Sequence, residues 1–172
     1  MAAKTGTYTL IASNTLGSLT ASVTFSSISS AYTDLVLVIT PTIPTGAYDI
    51  LMRVGNGTVD SGNNYSVTRL SGTGTAANST RSSNASGMFC TYYGYPTSTN
   101  PSTTIVNLID YANTTTNKSM LIRSGNAAAG TEAIVGLWRS TAAINIITMS
   151  LDAATNFSSG STFKLYGIEA AR

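Results

Sequence analysis

Between residues 18 and 25 the chain alternates strictly: Leu19, Ala21, Val23 and Phe25 are apolar, and Ser18, Thr20, Ser22 and Thr24 are polar. A period of two sends successive side chains to opposite faces of a pleated strand, so this segment predicts a strand with one buried face. YTDLVLVIT follows, and in it Leu35, Val36, Leu37, Val38 and Ile39 run without a polar interruption. Such a run predicts a central strand covered on both faces. PTIPTG ends it, because proline lacks a ladder donor and glycine readily takes turn geometry.

TYTLIAS, YDILMRV, NNYSVTRL, MFCTYYGY, TTIVNLIDYA, KSMLIRS, EAIVGLWRS, INIITMSL and STFKLYGI are further short runs, each bounded by turn-forming residues. No apolar period of 3.6 persists for three turns, so helices are not expected. About 8–11 short antiparallel strands at close spacing predict an all-β fold, a β-sandwich of jelly-roll-like type, and argue against alternating strand and helix units. A length of 172 residues suits one domain over 1–172. Residues 1–9 read as an extended arm in which Tyr8 and Leu10 alternate with Thr7 and Thr9, the two-faced pattern needed to add a strand to a neighbour. Residues 71–87, rich in Ser, Gly, Asn and Thr, read as a long surface loop.

Composition changes this picture in one respect. Hydrophobic residues make up 42% of the chain but charged residues only 9%, so hydroxyls and amides must keep it in solution. Thr-rich, weakly charged sequences suit antiparallel sheets with one wet face. Nine basic residues against seven acidic ones are dispersed along the chain and form no stripe able to neutralise several phosphates, which argues against nucleic acid as a partner. No run approaches the length of a membrane-spanning helix, and the start lacks the apolar core of a secretory signal, so a product made in a cytoplasm is expected, without a membrane partner. The Asn-x-Ser/Thr triplets at Asn56, Asn64, Asn113 and Asn156 are accordingly assigned no glycans.

Candidate chemistry is sparse. The chain has no histidine, which removes the commonest base near neutral pH and rules out a Ser-His-Asp or Cys-His nucleophile. Its single cysteine, Cys90, reads as a buried small side chain and is too little for a structural zinc site. The carboxylates are singletons. Asp49 meeting Asp110 would be needed for glycoside hydrolysis, and nothing marks that pair. Asp60, in GNGTVDSGNN, sits among amides that suit either calcium or a solvated turn, and without further acids the turn is favoured. No enzymatic activity, catalytic residue, metal ligand or cofactor is expected.

The aromatic residues carry more information. Tyr92, Tyr93 and Tyr95, with Tyr65, Tyr111 and Trp138, suit either a sugar-binding groove or the centre of a protein interface, because a rigid ring with a polar tip serves both. In a strand Tyr92 and Tyr93 would face opposite ways. Trp138 continues the alternation Ile134, Gly136, Trp138, and Phe163 opens the alternation Phe163, Leu165, Gly167, which marks both as core anchors.

SSAYTDLVLVI, DYANTTTNKSMLIRSG and VGLWRSTAAINIITMS with NFSSGSTFKLYGI resemble a module of structural proteins in tailed bacteriophages, notably those of cyanobacteria and other aquatic bacteria. The resemblance runs over about residues 20–168 and is strongest from 109 onward. It implies a virion location, on the capsid surface or tail, after assembly in the host cytoplasm. Family members are β-rich domains of tail fibres, appendages and capsid surfaces. Here the module fills nearly the whole sequence, which favours a capsid decoration (cement) protein whose partners are the major capsid protein and further copies of itself, as a homotrimer. The alternative is a tail-fibre or receptor-binding module that meets tail proteins and a host glycan. Tyr8, Leu10, Tyr92, Tyr93 and Tyr95 are the expected contact residues.

Overall fold

The computed structural model describes residues 7–169. Thirteen strands run through them: β1 (Tyr8–Thr15), β2 (Ser22–Phe25), β3 (Asp34–Thr40), β4 (Ile50–Asn56), β5 (Thr58–Val59), β6 (Tyr65–Gly72), β7 (Ala77–Ala85), β8 (Met88–Phe89), β9 (Thr103–Leu108), β10 (Lys118–Asn126), β11 (Gly130–Trp138), β12 (Ile146–Leu151) and β13 (Thr162–Ile168). They form an eight-stranded sheet, β1-β13-β3-β9-β10-β11-β6-β7, and a five-stranded sheet, β2-β12-β4-β5, with β8 also paired to β4. All the pairings between these strands are antiparallel.

The two sheets share one core, the arrangement of a β-sandwich. Leu35, Leu37 and Ile39 of β3, Val106 of β9, Ile122 of β10 and Phe163 and Leu165 of β13 meet Val23 of β2, Met52 and Val54 of β4 and Ile147 and Met149 of β12. Phe157 and Phe163 touch edge to face at 5.1 Å between centroids, and both are fully buried. Each such ring contributes roughly 1.5–3 kcal/mol through burial. Tyr65 is fully buried too, and its polar tip is matched: its hydroxyl accepts from the Val54 N–H at 3.1 Å and lies 3.0 Å from the Val54 carbonyl and 2.8 Å from that of Asp60. Burial pushes that hydroxyl's pKa up to about 12.

Chain order and pairing are nested: β3 with β13, β4 with β12, β6 with β11, and β9 with β10. The first and third pairs lie in the large sheet, the second in the small one, and the innermost hairpin β9–β10 inserts between β3 and β11. The β4–β5 turn depends on glycine twice. Gly57 has φ +73°, which suits a residue without Cβ, and a Cβ on Gly55 would lie 1.8 Å from the Thr58 carbonyl oxygen.

Several expectations are corrected. The number of strands exceeds the expected range because two are two-residue pieces, β5 and β8, and because residues 71–87 are not a loop. β6 continues to Gly72 and β7 fills residues 77–85, pairing along β6. Backbone hydrogen bonds hold this strand although almost every side chain on it is exposed, which leaves no apolar periodicity to betray it. MFCTYYGY supplies only β8, after which the backbone leaves the sheet at Cys90. In the alternating segment only Val23 and Phe25 are buried, whereas Leu19 is 57% exposed and precedes β2. The arm proposed for residues 1–9 lies outside the described residues over 1–6, and from Tyr8 onward it is β1, paired to β13 of its own chain. Tyr8 and Leu10 are therefore occupied along one backbone edge, opposite Ile168 and Tyr166.

Candidate interaction face

Register alone assigns the outward positions of the large sheet. One row crosses all eight strands: Leu10, Tyr166, Val36, Asn107, Leu121, Val135, Thr68 and Arg81. The neighbouring row on one side holds Lys164, Val38, Ile105, Arg123, Ala133, Leu70 and Ser79. On the other side Tyr8, Ile168 and Asp34 pair in turn, with Ile109 just past the end of β9. An antiparallel sheet with one wet face would place polar residues here. This face instead carries a broad apolar field with few charges.

Exposure confirms that the field is open. Among the described residues eight large apolar side chains are exposed, and six of them, Tyr8, Leu10, Leu70, Ile109, Leu121 and Val135, lie on this face at 44–62% exposure. Scattered single exposures are ordinary, but a contiguous patch marks a contact surface. A groove of about 690 Å³ runs over its centre, lined by Leu70, Ile109, Leu121 and Val135 with Asp34, Asn107 and Arg123. Tyr8 and Tyr166 stand edge to face at 6.3 Å, which rigidifies the β1 margin. Of the expected contact residues, Tyr8 and Leu10 thus belong to this face.

Tyr92, Tyr93 and Tyr95 do not. They lie on the irregular segment after β8, held by Glu132 on the inner side of β11. One carboxylate oxygen, Glu132 Oε1, accepts from three successive backbone N–H groups, those of Tyr92 at 2.7 Å, Tyr93 at 2.6 Å and Gly94 at 2.6 Å. Charge-assisted bonds of this kind fix the turn more firmly than neutral ones. Glu132 is only 4% exposed, and its Oε2 has no partner, nor has Oγ of its cross-strand neighbour Ser124. Tyr92 is the exposed member at 42%, packed edge to face on half-buried Tyr93 at 4.8 Å, with the Arg69 guanidinium 4.0 Å from its ring centre. The Tyr95 carbonyl accepts from Asn126 Nδ2 at 2.9 Å. The three tyrosines therefore form a clamped corner, separate from the apolar field.

The carboxylates are arranged as braces. Asp49 meets Asp152 and not Asp110: the Asp49 N–H donates to Asp152 Oδ1 at 3.1 Å, and the Asp152 N–H to the Asp49 carbonyl at 3.0 Å. Burial, reinforced by the Asp152 charge and partly offset by Arg69, raises the Asp49 carboxyl to about 7. Asp110 lies instead beside Asp34, whose Oδ1 accepts its N–H at 2.7 Å. Asp60 is a turn aspartate with its oxygens already in use. Oδ1 accepts from the Gly62 N–H at 2.8 Å, while Oδ2 accepts from Asn64 Nδ2 at 2.9 Å and from the Trp138 indole N–H at 2.7 Å. Burial acts to raise its pKa, but these bonds outweigh it and hold the carboxyl below its ordinary range.

Cys90 is fully buried, and that burial pushes its thiol pKa well up, as for an inert core side chain. Lys118, 2% exposed, donates from Nζ to the Thr116 and Thr141 carbonyls at 2.8 and 3.1 Å, and burial lowers its pKa. Trp138 and Phe163 are buried as core anchors, and Tyr65 and Tyr111 are fully buried as well, so Tyr65, Tyr111 and Trp138 line no surface groove. Among the described residues no three His, Cys, Asp or Glu side chains are grouped so as to hold a metal ion, and no helix is long and apolar enough to cross a membrane.

Sequence reasoning missed the Asp60–Trp138 bond, the Glu132 clamp and most of the outer field. The outward residues were legible as apolar, but periodicity does not say which face of a strand the second sheet covers. No protein-family model, curated protein or solved structure matches the chain.

Proposed function

We propose that this chain is a non-catalytic attachment subunit whose working surface is the outer face of the eight-stranded sheet. The observation that carries the proposal is the gathering of six exposed large apolar side chains on that face. Burial of such a field stabilises an assembly without any reacting group, and the carboxylates of Asp34, Asp60 and Asp152 accept hydrogen bonds that brace turns.

Within this class the resemblance over about residues 20–168 favours a virion structural protein, a capsid decoration protein that binds the major capsid protein and stabilises the shell. Jelly-roll-like winding is the finer reading of the fold. The nested pairs β3–β13, β4–β12 and β6–β11 support it, with β9–β10 displaced into the large sheet. The test is co-sedimentation of the purified chain with emptied phage shells, together with its copy number per virion by quantitative mass spectrometry. Decoration predicts copies in proportion to the shell subunits and loss of binding in Leu121→Asp; a few copies per particle, or binding indifferent to that substitution, contradicts it.

A second reading rests on the clamped corner. Tyr92, exposed and backed by Arg69 and Glu132, suits stacking on a sugar ring, as a tail receptor-binding module requires. That reading predicts glycan binding that Tyr92→Ala removes and Leu121→Asp leaves intact.

A further inference from the structure

We propose that Asn56 is a site of spontaneous backbone modification, deamidation through its bond to Gly57, and that Asn145 sets the rate at which it occurs. The site lies on the small sheet, apart from the outer face of the large one, and owes nothing to the attachment reading.

Asn56 and Gly57 form the single Asn-Gly pair in the sequence. In such a pair the backbone nitrogen of the glycine, once its proton has gone to hydroxide, attacks Cγ of the asparagine. The Cγ–Nδ2 bond breaks, ammonia leaves with a proton taken from water, and a five-membered succinimide remains. Water then opens either carbonyl of the ring, giving aspartate or, with the main chain rerouted through the side chain, isoaspartate. Glycine makes the attack easy because no side chain crowds its nitrogen.

The fold cannot dispense with this glycine. Gly57 turns the chain between β4 and β5 at φ +73°, in the left-handed region that other residues enter only at a cost. Asn56 and Gly57 are both exposed, so water and hydroxide reach them. A turn that demands glycine after Asn56 therefore carries a reactive bond into solvent.

Four contacts hold that bond in check. The Gly57 N–H donates to Asn145 Oδ1 at 2.7 Å, which engages the proton that must leave first. Asn56 Nδ2 donates to the Ala143 carbonyl at 2.8 Å and ties the carboxamide to the segment leading into β12. Asn56 ends β4 and pairs with Thr58, and the Gly55 carbonyl accepts from the Asn145 N–H at 3.0 Å. Ring closure requires Asn56 to leave extended strand geometry and to swing its side chain onto its own main chain, so these contacts must yield together. Bonded amides of this kind give up their protons only on local opening. Of the four contacts, the Asn145 side chain is the one that a substitution removes while leaving both reacting residues in place.

The experiment incubates the full chain in mildly alkaline buffer, native and in urea, and follows it by peptide mapping that separates asparagine, aspartate and isoaspartate at each position. Asn78, exposed on β7 and followed by Ser79, is the internal reference. In the wild type, Asn56 is expected to react at least about tenfold more slowly in the native chain than in urea. Asn145→Ala is expected to raise the native rate at Asn56 about three- to tenfold, the factor that one hydrogen bond is worth, with Asn78 unchanged. Asn145→Asp, whose carboxylate still accepts from the Gly57 N–H, is expected to stay within about twofold of the wild type. Should Asn145→Ala fail to fold, hydrogen exchange at the Gly57 amide of the wild type carries the test: slow exchange supports the engaged proton, and free exchange overturns it.

Equal rates at Asn56 in the native and urea-unfolded wild type overturn the proposal, as does an unchanged rate in Asn145→Ala. A rise at Asn56 matched by the same rise at Asn78 also overturns it, since Asn145 would then support the whole fold rather than this bond.

Discussion

The two faces of the eight-stranded sheet are built from similar residues and have opposite fates. Inward, Leu35, Leu37, Val106, Ile122, Ile134 and Leu165 are at most 2% exposed beneath the small sheet. Outward, Leu70, Leu121 and Val135 are 46–62% exposed on the same strands or their neighbours. An apolar side chain thus states only that it needs cover; whether the cover comes from the same chain is decided by where the second sheet sits. On the outer face none of the described strands provides it.

The sharpest way to break the comparison is to truncate one residue on each face. Phe163→Ala removes the ring packed on Phe157 and should cost roughly 3–5 kcal/mol of folding stability. Val135→Ala on the outer face should change the isolated chain by less than about 0.5 kcal/mol. Urea unfolding of both variants checks this, and equal losses would mean that the outer face is already packed. Asp60→Ala should cost about 1–3 kcal/mol, because the buried Trp138 N–H then lacks its acceptor. Leu121→Asp should leave the melting midpoint of the free chain nearly unchanged while abolishing shell binding, which a melt and a co-sedimentation run on one sample will show.

A further expected effect is one of pH. Burial and the neighbouring Asp152 charge hold the Asp49 carboxyl up at about 7 in the folded chain, against the ordinary carboxylate range of about 4 in the unfolded one. Between these values the folded state holds the proton more tightly than the unfolded state, so stability falls as pH rises from about 4 to about 7. The groups facing Asp49 are Asp152, Glu132, Arg69 and Thr91. Asp49→Asn should flatten that slope in urea titrations at a series of pH values. A slope unchanged by the substitution would place its origin elsewhere.

Much of the sandwich could be read along the chain because its strands declare themselves by pattern. The unbroken run at Leu35–Ile39 became the central strand β3, and the alternations at Trp138 and Phe163 became buried rows. β7 remained hidden because a strand exposed on both faces needs no apolar residues, only backbone donors and acceptors matched to β6. β8 is shorter than its apolar residues suggested, since Glu132, distant in sequence, draws the N–H groups of Tyr92–Gly94 out of any ladder. The candidate face was half legible: Tyr8 and Leu10 were marked by alternation, but its centre at Leu121 and Val135 is assembled from four separate segments, and only the pairing register brings those together.

Hydroxyl-radical footprinting of the chain, free and bound to emptied phage shells, tests the use of the outer face most directly. Attachment through that face predicts that Tyr8, Leu10, Leu70, Leu121 and Val135 lose reactivity together on binding while Leu19 and Tyr92, exposed elsewhere, keep theirs. Protection centred on Tyr92 and Leu19, with the outer-face residues as reactive in the bound as in the free chain, would contradict it.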